Sequence, residues 1–302
     1  MRARNLSIAW YGCGLAFIIL AGAGCPDSGE PPADLEVTYN VPYAVGNVAS
    51  GPGATTWEEQ PLYLDVYEPP EGKVARRALI VMHGGSFLED GKDSDRMVEW
   101  ASYFARRGFV VFSIDYRLIT DYPPTPPAYW ELTFMPDAAH AATVDAKAAV
   151  RFVRANAASY NVDPNRIAFL GESAGAIAGA GVAITDSRDW ASDGPSFPIP
   201  EFNNPGVSAR VNAYVHFWGN ADHVLSEIDA NDPPVMICHG NEDDVFLTPF
   251  QSAERFNFFL DRIGVPNEFY EADGFGHSAW NYRLRGKSLE VLTLEFLQEQ
   301  LP

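Results

Sequence analysis

The stretch from residue 166 to residue 182 constrains the fold more than any other. A short apolar run over residues 167–170 leads into Gly171-Glu172-Ser173-Ala174-Gly175, and a run of small residues follows. The apolar run has the length of a buried strand, and the two outer glycines lack the Cβ atoms that would clash in a tight turn around Ser173. Glycines in the following helix each weaken it by about 1 kcal/mol relative to alanine, which indicates close packing on a sheet. The pattern predicts a nucleophile elbow, a strand–turn–helix unit that exposes a serine hydroxyl.

The rest of the chain alternates between strand and helix patterns. Strands are predicted over residues 37–45, 62–67, 78–82, 110–114, 167–170, 213–217, 235–238 and 268–271. Helices are predicted over residues 94–107, 138–159, 174–184, 250–263 and 287–300. Such alternation predicts an α/β fold with a mostly parallel eight-stranded sheet and helices on both faces. Catalytic groups are then expected at the carboxyl ends of the strands.

The first 36 residues differ in composition from the remainder. Arg2 and Arg4 precede a mainly apolar stretch that ends in small residues, which predicts a secretory signal peptide over residues 1–24. Residues 25–36 are rich in proline and are expected to form a flexible tether. Residues 37–302 would then be a single exported catalytic domain.

Cys25 stands at the end of the predicted signal. The preceding residues resemble a bacterial lipobox, except that Gly22 occupies the position where leucine is usual. Ala21-Gly22-Ala23 also fits an A-x-A cleavage site. Two outcomes therefore remain open, a lipid anchor on Cys25 that attaches the protein to the bacterial cell envelope, and simple cleavage with secretion. A third, an uncleaved membrane anchor, is disfavoured by the length of the apolar stretch, and all three would export the domain.

Charge and cysteine content exclude several classes of function. The formal net charge of −19 makes nucleic acid an unfavourable partner and disfavours polyanionic substrates. Without the signal only Cys25 and Cys238 remain, so no disulfide framework is expected. No metal-binding spacing such as H-E-x-x-H and no phosphate loop occurs, so no metal site and no phosphate-binding loop are expected.

A glycine-rich turn follows the predicted strand at residues 78–82. It reads His83-Gly84-Gly85-Ser86-Phe87, at the sheet edge where Ser173 is also expected. The backbone N–H groups of Gly84 and Gly85, together with that of Ala174, are predicted to form an oxyanion hole.

An acid and a base are needed beside Ser173, because a serine hydroxyl is a poor nucleophile until a base takes its proton. Asp243 follows the predicted strand at residues 235–238, with Asp244 and Asp222 as alternatives. His277 lies in a glycine-rich loop after the last predicted strand, in the chain order serine, acid, histidine that this topology requires. The other histidines are interpreted as packing or turn residues; they are His83, His140, His216, His223 and His239.

These motifs together resemble the α/β-hydrolase superfamily, in particular the hormone-sensitive-lipase-like esterases and the small bacterial carboxylesterases related to prolyl-oligopeptidase-type hydrolases. The segments that carry the resemblance are His83-Gly84-Gly85, Asp115-Tyr116-Arg117-Leu118, residues 145–154, residues 163–167, Gly171-Glu172-Ser173-Ala174-Gly175, His239-Gly240 with Asp243, and Gly276-His277. The resemblance implies hydrolysis of carboxylic esters through an acyl-enzyme without a cofactor. It also favours Asp243 over Asp244 as the acid.

Substrate preference depends on two segments that depart from the family pattern. The first, residues 121–136, carries Tyr122, Tyr129, Trp130 and Phe134, which are predicted to line an acyl or alcohol pocket, although they would also suit a loop that merely packs on the domain. The second is the irregular segment at residues 185–209. A small-molecule ester or an acylated glycan is the expected substrate. A serine peptidase on the same fold and a non-catalytic binding protein are the alternatives, and the sequence leaves the oligomeric state open.

Overall fold

The computed structural model describes residues 35–70, 76–124 and 136–302. The predicted signal peptide, Cys25 and nearly all of the predicted tether lie outside these residues. The eight strands of the central sheet are β1 Glu36–Val48, β2 Glu58–Glu68, β3 Arg76–Met82, β4 Phe109–Ile114, β5 Val162–Glu172, β6 Ala213–Phe217, β7 Val235–Gly240 and β8 Asn267–Ala272. Each overlaps one of the predicted strands, so the predicted eight-stranded sheet is confirmed.

The strands follow the order β1-β2-β4-β3-β5-β6-β7-β8 across the sheet. β1 and β2 pair antiparallel with each other, and β2 pairs antiparallel with β4. All the remaining pairs are parallel. Because parallel strands end at the same edge, the loops after β3, β5, β7 and β8 meet there, and these loops contain the predicted oxyanion turn, nucleophile, acid and base.

Helices cover both faces of the sheet, as predicted. The α-helices of the described residues are α1 Asp95–Ala105, α2 Pro136–Ala155, α3 Ala174–Ile184, α4 Phe250–Ile263 and α5 Leu289–Gln300. One buried apolar cluster joins the sheet to α2, α3 and α4, and a second joins it to α1 and α5. A short hairpin, β9 Arg283–Leu284 with β10 Lys287–Ser288, was not predicted. Within the described ranges, no helix combines the length and apolar character needed to cross a bilayer.

The segment at residues 185–209 contains little regular structure but is held against α2. Lys147, fully buried on α2, places its Nζ 2.7 Å from the Thr185 hydroxyl oxygen, 2.7 Å from the Asp186 carbonyl oxygen and 2.6 Å from that of Asp189. Burial lowers the pKa of Lys147 to about 7. Farther along α2, Arg151 Nε donates to the carbonyl oxygen of Asn203 at 2.8 Å. The segment is therefore held by the side-chain nitrogens of Lys147 and Arg151, which donate to its backbone carbonyl oxygens.

A buried ion triad joins the same segment to the loop after β4. The guanidinium of Arg117 binds Asp145 of α2 at 2.7 Å and Asp193 at 2.9 Å, and all three side chains are almost completely buried. Burial alone would lower the pKa of Arg117, but the two carboxylates hold it above its ordinary value. The triad thus links three parts of the chain that are distant in sequence.

Replacing Arg117 with leucine should destabilise the protein by about 3–5 kcal/mol, because two buried carboxylates would lose their counter-ion. Urea denaturation followed by circular dichroism measures the free energy of unfolding. Arg255→Leu is the matched control, since Arg255 pairs with Asp222 on the surface and such a pair is worth at most about 1 kcal/mol. Equal losses in the two variants would contradict a stabilising role for the buried triad.

Candidate active site

Ser173 occupies a strained position between the end of β5 and the start of α3. Its backbone angles are φ 51° and ψ −115°, in a region that residues other than glycine rarely adopt. Its N–H donates to the carbonyl oxygen of Phe217 in the neighbouring strand at 2.9 Å. Strain of this kind costs about 1–3 kcal/mol and persists where the surrounding structure enforces it. The predicted nucleophile elbow is the observed local structure.

The glycines on both sides of Ser173 are required by close backbone contacts. A Cβ atom on Gly171 would lie 2.2 Å from the carbonyl oxygen of Gly175. A Cβ atom on Gly175 would lie 2.4 Å from the carbonyl oxygen of Met82, at the end of β3. Glycine at position 171 therefore lets the turn fold closely on itself, and glycine at position 175 lets it approach the end of β3.

His277 connects the serine to a carboxylate. Its Nε2 lies 2.9 Å from Ser173 Oγ, and its Nδ1 lies 2.8 Å from Asp243 Oδ2. An ionised carboxylate can only accept, so the proton is assigned to Nδ1 and the lone pair of Nε2 faces the hydroxyl. The structure thus brings together the three side chains predicted as nucleophile, acid and base, in the arrangement that proton transfer from serine requires.

Asp243 is buried and accepts several hydrogen bonds. Oδ1 accepts the N–H of Val245 at 3.0 Å, and Oδ2 accepts from His277 and also from His239 Nε2 at 2.8 Å. Burial alone would raise the pKa of Asp243, but the hydrogen bonds from His239 and His277 hold it well below its usual range. The carboxylate therefore stays ionised beside the base.

The two alternative acids lie elsewhere. Asp244 is exposed, and Asp222 forms a surface ion pair with Arg255. Of the three aspartates that the sequence left open, only Asp243 contacts His277 in the described part of the chain.

The geometry of the loop after β3 agrees with only part of the predicted oxyanion hole. The N–H of Gly84 donates to Glu172 Oε1 at 2.6 Å, so it is not directed at a substrate, and the prediction of Gly84 as a donor is wrong. Gly85 has φ 84°, and a Cβ there would lie 2.0 Å from the carbonyl oxygen of Glu89. Ala174 is the first residue of α3, where a backbone N–H has no acceptor within the helix. Gly85 and Ala174 remain the predicted donors.

Comparison with known proteins places the chain in a family. The BD-FAE family model matches residues 64–227, which is more than half of the chain. This protein belongs to the BD-FAE family. It is also similar to Esterase LipQ of Mycobacterium tuberculosis, with 25% identity over 245 residues, covering 72% of this chain and 54% of LipQ. The BD-FAE chain therefore spans about half the length of that curated relative.

Solved structures of esterases share the fold of this BD-FAE protein. The esterase of Thermogutta terrifontis with butyrate bound has a TM-score of 0.63 and 24% identity, over 80% of this chain and 90% of that one. A truncated carbohydrate esterase from gut microbiota has a TM-score of 0.63 and 22% identity, over 89% of this chain and 98% of that one. The fold is that of the α/β-hydrolases, as the sequence predicted.

The loop after β3, which carries Gly84 and Gly85, is held in this BD-FAE protein by side chains whose roles were not predicted. The Tyr116 hydroxyl donates to the carbonyl oxygen of Gly84 at 2.6 Å, and its ring stacks on His83 with centroids 4.3 Å apart. Glu172 joins this loop to the elbow, because Oε1 accepts from Gly84 while Oε2 accepts from Trp218 Nε1 at 3.0 Å. Burial raises the pKa of Glu172, against the opposing hydrogen bonds from Trp218 and Gly84. The sequence did contain a sign of this role: Glu172 is a carboxylate between a buried strand and a buried helix, where a charged side chain needs hydrogen-bond donors.

Replacing Glu172 with alanine should lower kcat by about 10- to 100-fold with little change in KM. The loop carrying Gly85 would lose its tie to the elbow, and complete loss of one oxyanion donor costs about 10²–10³-fold. Steady-state kinetics on a short-chain ester measures the effect. Trp218→Phe keeps an aromatic side chain but removes one donor to Glu172, so it should give a smaller loss. An unchanged kcat in Glu172→Ala would contradict this role.

The remaining predicted site residues are placed as follows. Tyr122 is partly exposed, and its carbonyl oxygen accepts from Trp57 Nε1 at 3.2 Å. Tyr129, Trp130 and Phe134 lie outside the described residues. Among the described residues of this BD-FAE chain, no cluster of histidine, cysteine, aspartate or glutamate is arranged to hold a metal ion.

Proposed function

We propose that this protein is a serine carboxylesterase, which hydrolyses carboxylic esters through an acyl-enzyme. The observation that carries the proposal is the continuous hydrogen-bond chain from Ser173 Oγ through His277 to the buried carboxylate of Asp243. Membership of the BD-FAE family and similarity to a curated esterase support it. Neither the carboxylate nor the strained serine backbone is needed for a binding protein on this fold.

The reaction follows from the orientation of these groups. His277 Nε2 removes the proton from Ser173 Oγ as the oxygen attacks the carbonyl carbon of the ester. The N–H groups of Gly85 and Ala174 stabilise the negative charge that develops on the carbonyl oxygen. His277 then returns the proton to the departing alcohol, and the same base activates a water molecule that releases the acid. Asp243 holds the imidazole in the productive tautomer and stabilises its cation.

Neutral acyl esters of small alcohols or of glycans are the proposed substrates. The net charge of −19 disfavours polyanionic substrates by repulsion. The glycan proposal is supported by the fold shared with a carbohydrate esterase, and the small-ester proposal by the butyrate-bound esterase.

A substrate panel tests the proposal. Purified protein is assayed with nitrophenyl esters of increasing acyl length, with acetylated and feruloylated sugars, and with aminoacyl amides, using Ser173→Ala as the blank. Turnover of esters that is absent from the blank supports an esterase. Turnover of amides alone would assign a peptidase, and no turnover together with no covalent labelling of Ser173 by paraoxon would leave a binding protein.

We further propose that residues 1–24 export the domain and that a lipid on Cys25 attaches it to the cell envelope. The charged start, the apolar stretch and the small residues before Cys25 support this. Cell fractionation tests it: the parent should sediment with membranes, and Cys25→Ala should not. Release of the parent into the medium would instead support simple cleavage.

Replacing Trp130 with alanine should shift the enzyme toward longer acyl chains. If the segment at residues 121–136 shapes the acyl pocket, each methylene gained or lost changes relative kcat/KM by roughly 10- to 200-fold, or about 1–3 kcal/mol. The nitrophenyl ester series measures the preference. Phe258→Ala, on the exposed side of α4, is the control and should leave it unchanged.

An unchanged chain-length preference with a lowered melting temperature would show that the aromatic segment only packs on the domain. The aromatic residues of the segment at residues 185–209 would then be tested. Trp190 stacks on His223 with centroids 5.8 Å apart, Phe197 packs edge-on against Trp57 at 5.5 Å, and Phe202 is half exposed.

A further inference from the structure

His239 lies at the end of β7 and is completely buried. The sequence suggested a packing or turn residue, and its ring does pack edge-on against Phe250 with centroids 5.9 Å apart. Its Nε2, however, lies 2.8 Å from Asp243 Oδ2 and 3.0 Å from the carbonyl oxygen of Thr248. The interpretation as a packing residue alone is therefore wrong, because the imidazole bonds directly to the predicted catalytic acid.

The two neighbours of Nε2 determine where the proton of His239 lies. A carboxylate and a carbonyl oxygen can only accept, so Nε2 must donate to both. Nδ1 is buried and has no hydrogen-bond partner in the described part of the chain. Leaving a buried polar atom unpaired is unfavourable, and an apolar ring of similar size would avoid the penalty. Packing alone would thus favour an apolar ring at this position, whereas the imidazole supplies a hydrogen-bond donor to Asp243.

We propose that His239 is a positioning residue that fixes the Asp243 carboxylate so that Oδ2 faces His277. This inference rests on the esterase function proposed above. It adds His239 to the hydrogen-bond chain formed by the nucleophile, the base and the acid. Oδ2 receives N–H groups from both histidines, and Oδ1 receives the N–H of Val245. Three donors on two oxygens prevent rotation of the carboxylate about its Cβ–Cγ bond.

The effect on catalysis follows from this restraint. His239 forms no hydrogen bond with Ser173 or His277 among the described residues. It reaches His277 through Asp243, and also through Thr248, whose carbonyl oxygen it binds and whose hydroxyl oxygen lies 3.3 Å from His277 Nδ1. A carboxylate free to rotate would hold His277 in its productive orientation for less of the time. The loss should appear in kcat, because the ring must be aligned in the transition state, whereas substrate binding does not use it.

Three substitutions distinguish the role of His239 as a hydrogen-bond donor from its role in packing. In His239→Gln the side-chain amide nitrogen can reach the position of Nε2, whereas the shorter asparagine places its amide near Nδ1, and phenylalanine fills the space without a donor. We expect His239→Asn and His239→Phe to lower kcat by about 10- to 100-fold with KM nearly unchanged, and His239→Gln to restore most of it. Melting temperatures are measured for each variant.

His216→Gln is the matched control, since His216 is also fully buried at the neighbouring strand but bonds to the Tyr214 hydroxyl. It should leave kcat close to that of the parent. If kcat follows the melting temperature across all the variants, or if His239→Phe keeps the parental kcat, the inference is overturned.

A measurement independent of turnover distinguishes this inference from the proposed function. In protein labelled with ¹⁵N-histidine, the Nδ1–H proton of His277 should be protected from exchange in the parent and in His239→Gln. It should exchange rapidly in His239→Phe. This pattern supports the inference even if the parent hydrolyses no ester, in which case only the proposed function fails. Equal protection in all the variants would overturn the inference while leaving an active esterase intact.

Discussion

Ser173→Ala is expected to lower kcat for a short-chain nitrophenyl ester by a factor on the order of 10⁵ to 10⁶. The hydroxyl oxygen is the atom that forms the acyl-enzyme, and it lies 2.9 Å from Nε2 of His277, the base that activates it. His277→Ala should give a loss of similar size, because without a base the hydroxyl stays protonated. Stopped-time assays at high enzyme concentration, with product measured by chromatography, cover this range.

The two losses should not add. A double variant, Ser173→Ala with His277→Ala, is expected to match the single variants, since nucleophile and base act as one unit. Circular dichroism and the melting temperature serve as controls, and both should resemble the parent because Ser173→Ala retains the Cβ atom. Near-parental turnover in either single variant would show that these residues are not the nucleophile and base.

Asp243→Asn is expected to lower kcat by about 10⁴-fold, while leaving the site sterically unchanged. An amide at this position can present its NH₂ group to His277, and the imidazole would then carry its proton on Nε2 and lose the lone pair that faces Ser173. His239 would also face a weaker acceptor than a carboxylate. Steady-state kinetics and a crystal structure of the variant measure the loss and the unchanged position of the side chain.

Asp244→Asn and Asp222→Asn are the matched controls for Asp243→Asn. Asp244 is exposed and Asp222 pairs with Arg255 on the surface, so each variant should change kcat by less than about twofold. A large loss of kcat in Asp244→Asn with a small loss in Asp243→Asn would show that Asp244, and not Asp243, is the acid. Small and equal effects at these two positions would point to Asp222.

Local sequence patterns predicted the elements of the fold. Alternation of strand patterns with helical patterns identified all eight strands of the sheet. Strands buried on both faces, such as β4, are nearly continuous apolar runs, whereas β2 at the antiparallel side alternates aliphatic with polar or aromatic residues. Gly171 and Gly175 marked the elbow, since only glycine tolerates carbonyl oxygens at the distances found there. The order of Ser173, Asp243 and His277 along the chain followed from topology, because parallel strands bring their following loops to one edge.

Contacts between side chains distant in sequence could not be predicted in this way. Three aspartates followed suitable strands, and only the folded loop shows that Asp243, rather than Asp244, turns inward to His277. The N–H of Gly84 was assigned to the oxyanion hole, yet it donates to Glu172, because the side chain of the residue before the nucleophile reaches across from β5 to the loop after β3. No periodicity encodes which donor an acceptor will meet.

The same limit applies to buried polar groups. The sequence by itself determined the sheet, its helices and the strand ends at which chemistry is expected, because these depend on apolar periodicity and on the steric freedom of glycine. Only the tertiary structure decided that Arg117 binds Asp145 and Asp193, and that His239 donates to Asp243. A buried charge or imidazole needs partners, but their identity depends on how loops separated by tens of residues pack together.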